Sequence, residues 1–182
     1  MQESCKTHPD SVRSLCTSSL PTPHAMLATT TPLVQVWDML PGIWKLYRQL
    51  GAYGIMEGTS HFTPLDADQL QYIETGEAQY GFPQTYKTTR RYIFVKKENN
   101  IHIYIDDGLH KGDLLYTLEW EKPCVLSATS PLPCIATGTH VCKEDTYQAR
   151  YQFFFPSYFS LCYRVKGPQK DYQIHSIFRK YT

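Results

Sequence analysis

The sequence predicts an all-β fold, an antiparallel up-and-down barrel of about eight to ten strands with a short N-terminal helix. Three observations carry this. Beyond residue 42 apolar and polar residues alternate along most of the chain, the two-residue period of strands with one buried face. Turn chemistry interrupts the alternation at short intervals, at Glu98-Asn99-Asn100, Asp107-Gly108, Pro156-Ser157 and Gly167-Pro168. Aromatic residues make up 14% of the chain and include 14 Tyr, a bias toward pleated, half-buried surfaces. No long helical segment lies between the strands to cover a parallel sheet.

Residues 1–31 are rich in Ser, Thr and Pro and show neither apolar period, so they read as a disordered tail. The barrel domain is expected over 32–182. Leu33, Val36, Trp37 and Leu40 fall at helical spacing and Pro41-Gly42 ends the run, giving a short helix placed to cap one barrel mouth. Trp44, Leu46 and Arg48 then alternate in a first strand that turns at Gly51-Ala52. Further strands are expected over 54–63, 69–78, 85–96, 101–106, 113–120, 135–143, 146–155, 159–166 and 171–180, with one longer loop at 122–133. No internal repeat is evident.

With 182 residues the chain suffices for one well-buried domain and is short for two. Its 18 Lys and Arg against 17 Asp and Glu leave a net charge of +1, so no global field attracts nucleic acid or an acidic membrane. No run approaches the ~18 apolar residues of a membrane-spanning helix. The six cysteines, Cys5, Cys16, Cys124, Cys134, Cys142 and Cys162, contain no Cys-x-x-Cys pair and read as reduced thiols in a soluble, cytoplasmic protein. In an oxidising compartment Cys124 and Cys134, which bracket a Pro-containing loop, are the pair to join. The Ser and Thr content and few acids of 1–31 also allow an organelle-targeting reading of that tail.

On an extended strand His140 and Cys142 share a face. Turned inward, they bring an imidazole and a thiol into the barrel, with Tyr147 from the next strand and Arg164, Lys170 and Tyr172 from the hairpin after it. Glu74 and Arg91, on earlier strands, are expected to add an ion pair. These eight residues form the candidate ligand-binding set, polar groups for the head of a small molecule whose apolar part meets an aromatic wall. The same residues also suit a satisfied hydrogen-bond network that fixes strand register in a filled-core interaction module. A third reading gives acid–base work to His140, Cys142, Asp145 and Tyr147 in an enzyme or lyase-like barrel.

Zinc would need a third ligand, from His61, His102 or His175, and the spacing converges no such set, so no metal site is expected. His140 and Cys142, ~7 Å apart along a strand, are too far apart for a nucleophile–base pair. No Ser-His-Asp arrangement, phosphate-cradling glycine loop or dinucleotide fingerprint appears, and no cofactor is identified.

Gly42-Ile43-Trp44 resembles the opening of calycin barrels, the lipocalin and fatty-acid-binding superfamily. That resemblance implies a Trp packed under a basic residue of the last strand, for which Arg179 is the expected partner, closing the barrel bottom by a cation–π contact. Gly42, Trp44 and Arg179 are thus the expected structural residues. A more specific likeness runs from Leu40 to Lys180. Its blocks are Gly42-Ile43-Trp44, Gly58-Thr59-Ser60-His61-Phe62, Tyr72-Ile73-Glu74-Thr75-Gly76, Arg91-Tyr92, Asp106-Asp107-Gly108, the run from His140 to Tyr147, and Gly167-Pro168-Gln169-Lys170-Asp171-Tyr172. In this order they resemble domain of unknown function 6314, which implies a compact barrel-like domain and no established reaction. The chain departs from that pattern at Leu109-His110-Lys111, where an aromatic-His pair is expected slightly later.

Overall fold

Strand alternation and short turns leave the chain a simple way to bury its apolar face, which is to wind the meander round until its ends meet. The computed structural model describes residues 31–81, 83–122 and 132–181. Among them run β1 (Gly42–Gln49), β2 (Ile55–Pro64), β3 (Gln69–Gln79), β4 (Thr85–Lys97), β5 (Asn100–Ile105), β6 (Leu114–Trp120), β7 (Cys134–Cys142), β8 (Asp145–Phe154), β9 (Tyr158–Gly167) and β10 (Lys170–Lys180). Each strand pairs antiparallel with its sequence neighbours, and β1 pairs with β10 to close the barrel. The tail expected over 1–31 falls outside the described residues, Thr31 apart.

Register decides what the interior contains. Along β1 the inward positions are Trp44, Leu46 and Arg48; along β3 they are Leu70, Tyr72 and Glu74; along β9, Phe159, Leu161 and Tyr163. In each case the first residue belongs to an apolar lower storey and the last to a polar upper one. The lower storey is packed aromatic on aromatic. Phe159 stacks on Phe178 with centroids 4.2 Å apart, and Trp44 meets Phe159 edge-on at 4.9 Å. Each such ring contributes on the order of 1.5–3 kcal/mol by burial.

Helix α1 (Pro32–Met39) covers this end. Thr31 Oγ1 caps it by accepting from the Val34 amide at 3.5 Å, and Pro32 starts it with a φ already suited to a helix. Its Leu33, Val36, Trp37 and Met39 are buried in the core. Gly42 makes the turn from helix to barrel at φ +119°, a conformation side-chain-bearing residues rarely adopt. Trp44 then donates its indole N–H to the Leu40 carbonyl at 2.8 Å, locking helix to barrel.

The cation over Trp44 is Lys180, not Arg179. Lys180 Nζ lies 5.4 Å from the indole and donates to the Met39 carbonyl at 2.6 Å. Lys180 is the residue paired with Trp44 across β1 and β10, and burial lowers its pKa. Arg179, one residue earlier, points to the opposite face and covers the Tyr158 ring at 5.6 Å.

Two departures from a regular barrel bear on the site. Between β6 and β7 the backbone register covers only Glu119↔Thr137 and Trp120↔Ala136, so the strands part toward the upper end. Gly138, above that pair, leaves room for a ring: a Cβ there would lie 2.6 Å from Cδ2 of Tyr116. Cys134, at the foot of β7, is disulfide-bonded, which corrects the expectation of reduced thiols at that position. The pairing with Cys124 considered above involves a residue outside those described. Cys142 and Cys162 are free thiols. Among the described residues no helix is long and apolar enough to cross a membrane.

Candidate functional site: a polar cavity in the upper barrel

Above the aromatic floor the barrel holds a cavity of about 390 Å³. Its base is a buried ion pair. Arg48 and Glu74 meet in a fork, Nη1 to Oε1 at 2.6 Å and Nη2 to Oε2 at 2.8 Å, and Glu74 is 1% exposed. Arg48 Nε donates to Ser176 Oγ at 2.8 Å, while the Tyr72 hydroxyl donates to Glu74 Oε2 at 2.6 Å. Bidentate, charge-assisted bonds of this kind let a charge survive burial.

Desolvation opposes ionisation of both partners. The hydrogen bonds and charge each offers the other outweigh it, so the Arg48 pKa is raised and the Glu74 pKa is held below the usual carboxylate range. The pair is ionised across the physiological range. Arg90, opposite Glu74 on β4, adds a second cation with Nε 3.8 Å from Glu74 Oε1.

Tyrosines dominate the walls. The Tyr116 hydroxyl bonds to both the Tyr151 hydroxyl, at 3.0 Å, and the Tyr163 hydroxyl. Burial, first of all, pushes the pKa of Tyr72, Tyr116, Tyr151 and Tyr163 up, so these phenols remain protonated. Leu115, Leu161 and Ile174 provide apolar wall. Where β6 and β7 separate, His140 Nδ1 sits 3.1 Å from the Leu115 carbonyl. A carbonyl only accepts, so Nδ1 carries the hydrogen and in the neutral ring Nε2 keeps a lone pair.

Of the eight residues expected from the sequence to surround a ligand, Glu74, His140, Cys142, Tyr147 and Tyr172 line this cavity. Lys170 does not line it and is held in an ion pair with Asp145. Arg91 and Arg164 are exposed and do not line it. Strand parity is the reason. Arg91 is offset by one from Arg90, the residue whose cross-strand partner is Glu74, and Arg164 by one from inward Tyr163. The expected Glu74–Arg91 ion pair is therefore replaced by Glu74–Arg48, with Arg90 beside it.

Sequence reasoning missed Arg48, Arg90 and Tyr116 as site residues. The signal existed for Arg48, which continues the Trp44, Leu46 alternation; an arginine at the third inward position of a strand needs a buried acid. Of the proposed acid–base cluster, Asp145 is committed to Lys170, His140 Nδ1 to a backbone carbonyl, and Cys142 is exposed. His110 lies in an exposed 3₁₀ turn, Gly108–His110, with Nδ1 3.1 Å from Asp113 Oδ2. No group of three or more His, Cys, Asp or Glu suited to a metal ion occurs among the described residues.

Comparison with known proteins places this barrel. A family model described as a family of unknown function, DUF6314, matches residues 40–180. The chain belongs to this family. Among solved structures the DUF6314 chain is similar to the S-type phycobiliprotein lyase CPES from Guillardia theta, at 11% identity and a TM-score of 0.52, covering 82% of this chain and 93% of that one. A de novo designed fluorescence-activating β-barrel aligns at 9% identity and a TM-score of 0.45, over 81% of this chain and 98% of that one. The redesigned barrel mFAP1 bound to DFHBI aligns at 12% identity and a TM-score of 0.43, over 80% and 99%. At such identity the likeness to the lyase is one of fold. No curated protein matches the sequence.

Proposed function

We propose that this DUF6314 member is a binding barrel that takes a small, partly apolar organic molecule through the upper mouth. The observation that carries the reading is the cavity itself. At about 390 Å³, with a buried ion pair at its base and phenols and leucines in its walls, it falls within the ~300–1,000 Å³ of ligand pockets and shares their mixed lining. A filled-core scaffold has no use for such a space, since close packing normally leaves voids little larger than a water molecule.

Gly138 on β7 gives its side-chain space to the Tyr116 ring, which forms part of the cavity wall. Cys142, Tyr147 and Tyr172 stand at or near the mouth, where a ligand would pass. The test is native mass spectrometry of the protein purified from its source, beside Leu161→Trp, which puts an indole into the cavity wall. A discrete small-molecule adduct on the wild type that the variant lacks supports the proposal. An adduct-free wild type that also fails to enhance an apolar fluorescent dye refutes it.

A further inference from the structure

The charges and hydrogen-bond donors around the cavity indicate what kind of molecule it receives. Two cations, Arg48 and Arg90, face one carboxylate, Glu74. Arg48 is spent on Glu74, Ser176 and Met56. Among the described residues Arg90 makes one hydrogen bond, from Nη1 to the Tyr92 hydroxyl at 3.5 Å, out of the five a guanidinium can donate. Its side chain is 61% exposed at the mouth while still lining the cavity. One positive charge with unspent donors therefore faces the interior.

Glu74 has no comparable capacity left for a cationic ligand. Of the roughly four lone-pair sites of a carboxylate, Arg48 fills two, Tyr72 fills one, and Arg90 stands 3.8 Å from Oε1. The phenols add donors. Tyr116, Tyr151 and Tyr163 bring three hydroxyl hydrogens to two mutual bonds, so one hydrogen is left over. Directing the chain from Tyr151 through Tyr116 to Tyr163 places it on the partly buried ring that lines the cavity and leaves no deeper donor unsatisfied. Tyr92 accepts from Arg90 and keeps its own hydrogen to donate. Against these donors His140, whose Nδ1 is given to the Leu115 carbonyl, offers at most a single acceptor, Nε2.

We infer that the occupant is an organic monocarboxylate, an acceptor-only head on an apolar body, with its carboxylate at Arg90 and Tyr92 and its body against Leu115, Leu161 and Ile174. This rests on the cavity being a binding site. Carboxylates accept at both oxygens and neutralise the excess charge, whereas an ammonium would bring more donors and a second positive charge.

The test compares three probes of one shape, 1-naphthoate, 1-naphthamide and 1-naphthylmethylammonium, by isothermal titration calorimetry at low ionic strength. Naphthoate is expected to bind at least about tenfold more tightly than the amide, as a charge-assisted hydrogen bond allows, with the ammonium weakest. Arg90→Gln is expected to bring the acid-to-amide ratio close to one, and Arg90→Lys to retain most of it. Equal binding of acid and amide, or preference for the ammonium, overturns the inference while leaving the cavity a binding site. Binding of none of the three also overturns it; the binding proposal falls as well only if the native spectra show no retained molecule.

Discussion

Removing one half of the Arg48–Glu74 pair should cost this barrel far more than removing both. In Arg48→Met the Glu74 carboxylate stays 1% exposed and loses both bonds of the fork, at 2.6 and 2.8 Å, keeping only the Tyr72 hydroxyl and Arg90 at 3.8 Å. An uncompensated buried charge of this kind costs about 3–5 kcal/mol. Glu74→Leu strands the guanidinium in the same way, with only neutral partners left, Ser176 Oγ at 2.8 Å and the weakly accepting Met56 Sδ at 3.6 Å. The double variant buries no charge and should lie within about 2 kcal/mol of wild type, since apolar replacements of such pairs are often neutral or stabilising. The coupling energy then comes to at least about 4 kcal/mol. Against a total stability of about 5–15 kcal/mol, each single variant should melt roughly 6–20 °C lower, at about 2–4 °C per kcal/mol for a domain of this size. Urea titrations followed by tryptophan fluorescence measure all four proteins. If the two single losses simply add in the double variant, the pair is not the closed, desolvated unit described above.

The same pair sets a pH dependence. The folded-state pKa of Glu74 is lowered, so its stabilisation is present above the ordinary carboxylate value of 4.5 and is lost as pH falls through the folded value. The stability gap between wild type and Glu74→Gln should therefore narrow on acidification below about 4.5, and a gap that is constant from pH 7 to pH 3 would contradict this. Trp44→Ala, which removes a fully buried ring, should cost about 3–5 kcal/mol, whereas His140→Ala at the half-buried seam should cost less; thermal melts rank the two. Lys180→Ala should destabilise more than Arg179→Ala, because only Lys180 reaches Trp44 and the helix, and equal losses would speak against Lys180 as the closing cation. Ser60 Oγ is buried without a hydrogen-bond partner among the described residues. Ser60→Ala should thus be neutral or stabilising by up to about 1 kcal/mol, and a clear loss in urea titration would mean that the hydroxyl is satisfied.

Local pattern alone determined the meander. Period-two alternation, Asn- and Gly-bearing turns and a Pro41-Gly42 stop each act over a few residues, so the helix and every strand of the described barrel were legible without any long-range information. Alternation also showed that His140 and Cys142 share a face, and both line the cavity. Its absolute phase was not legible for polar strands. On β4, where Arg90 and Arg91 are adjacent and chemically identical, only pairing with Glu74 across β3 decides which one faces in. The Lys180–Trp44 contact depended likewise on the register of β1 against β10, the closure that joins the two ends of the barrel. The Arg48–Glu74 fork links residues 26 positions apart, and the tyrosine chain links β6, β8 and β9. Side-chain type fixes what each of these groups can donate or accept; which of them meet inside a low-dielectric interior was decided by strand register and barrel closure together.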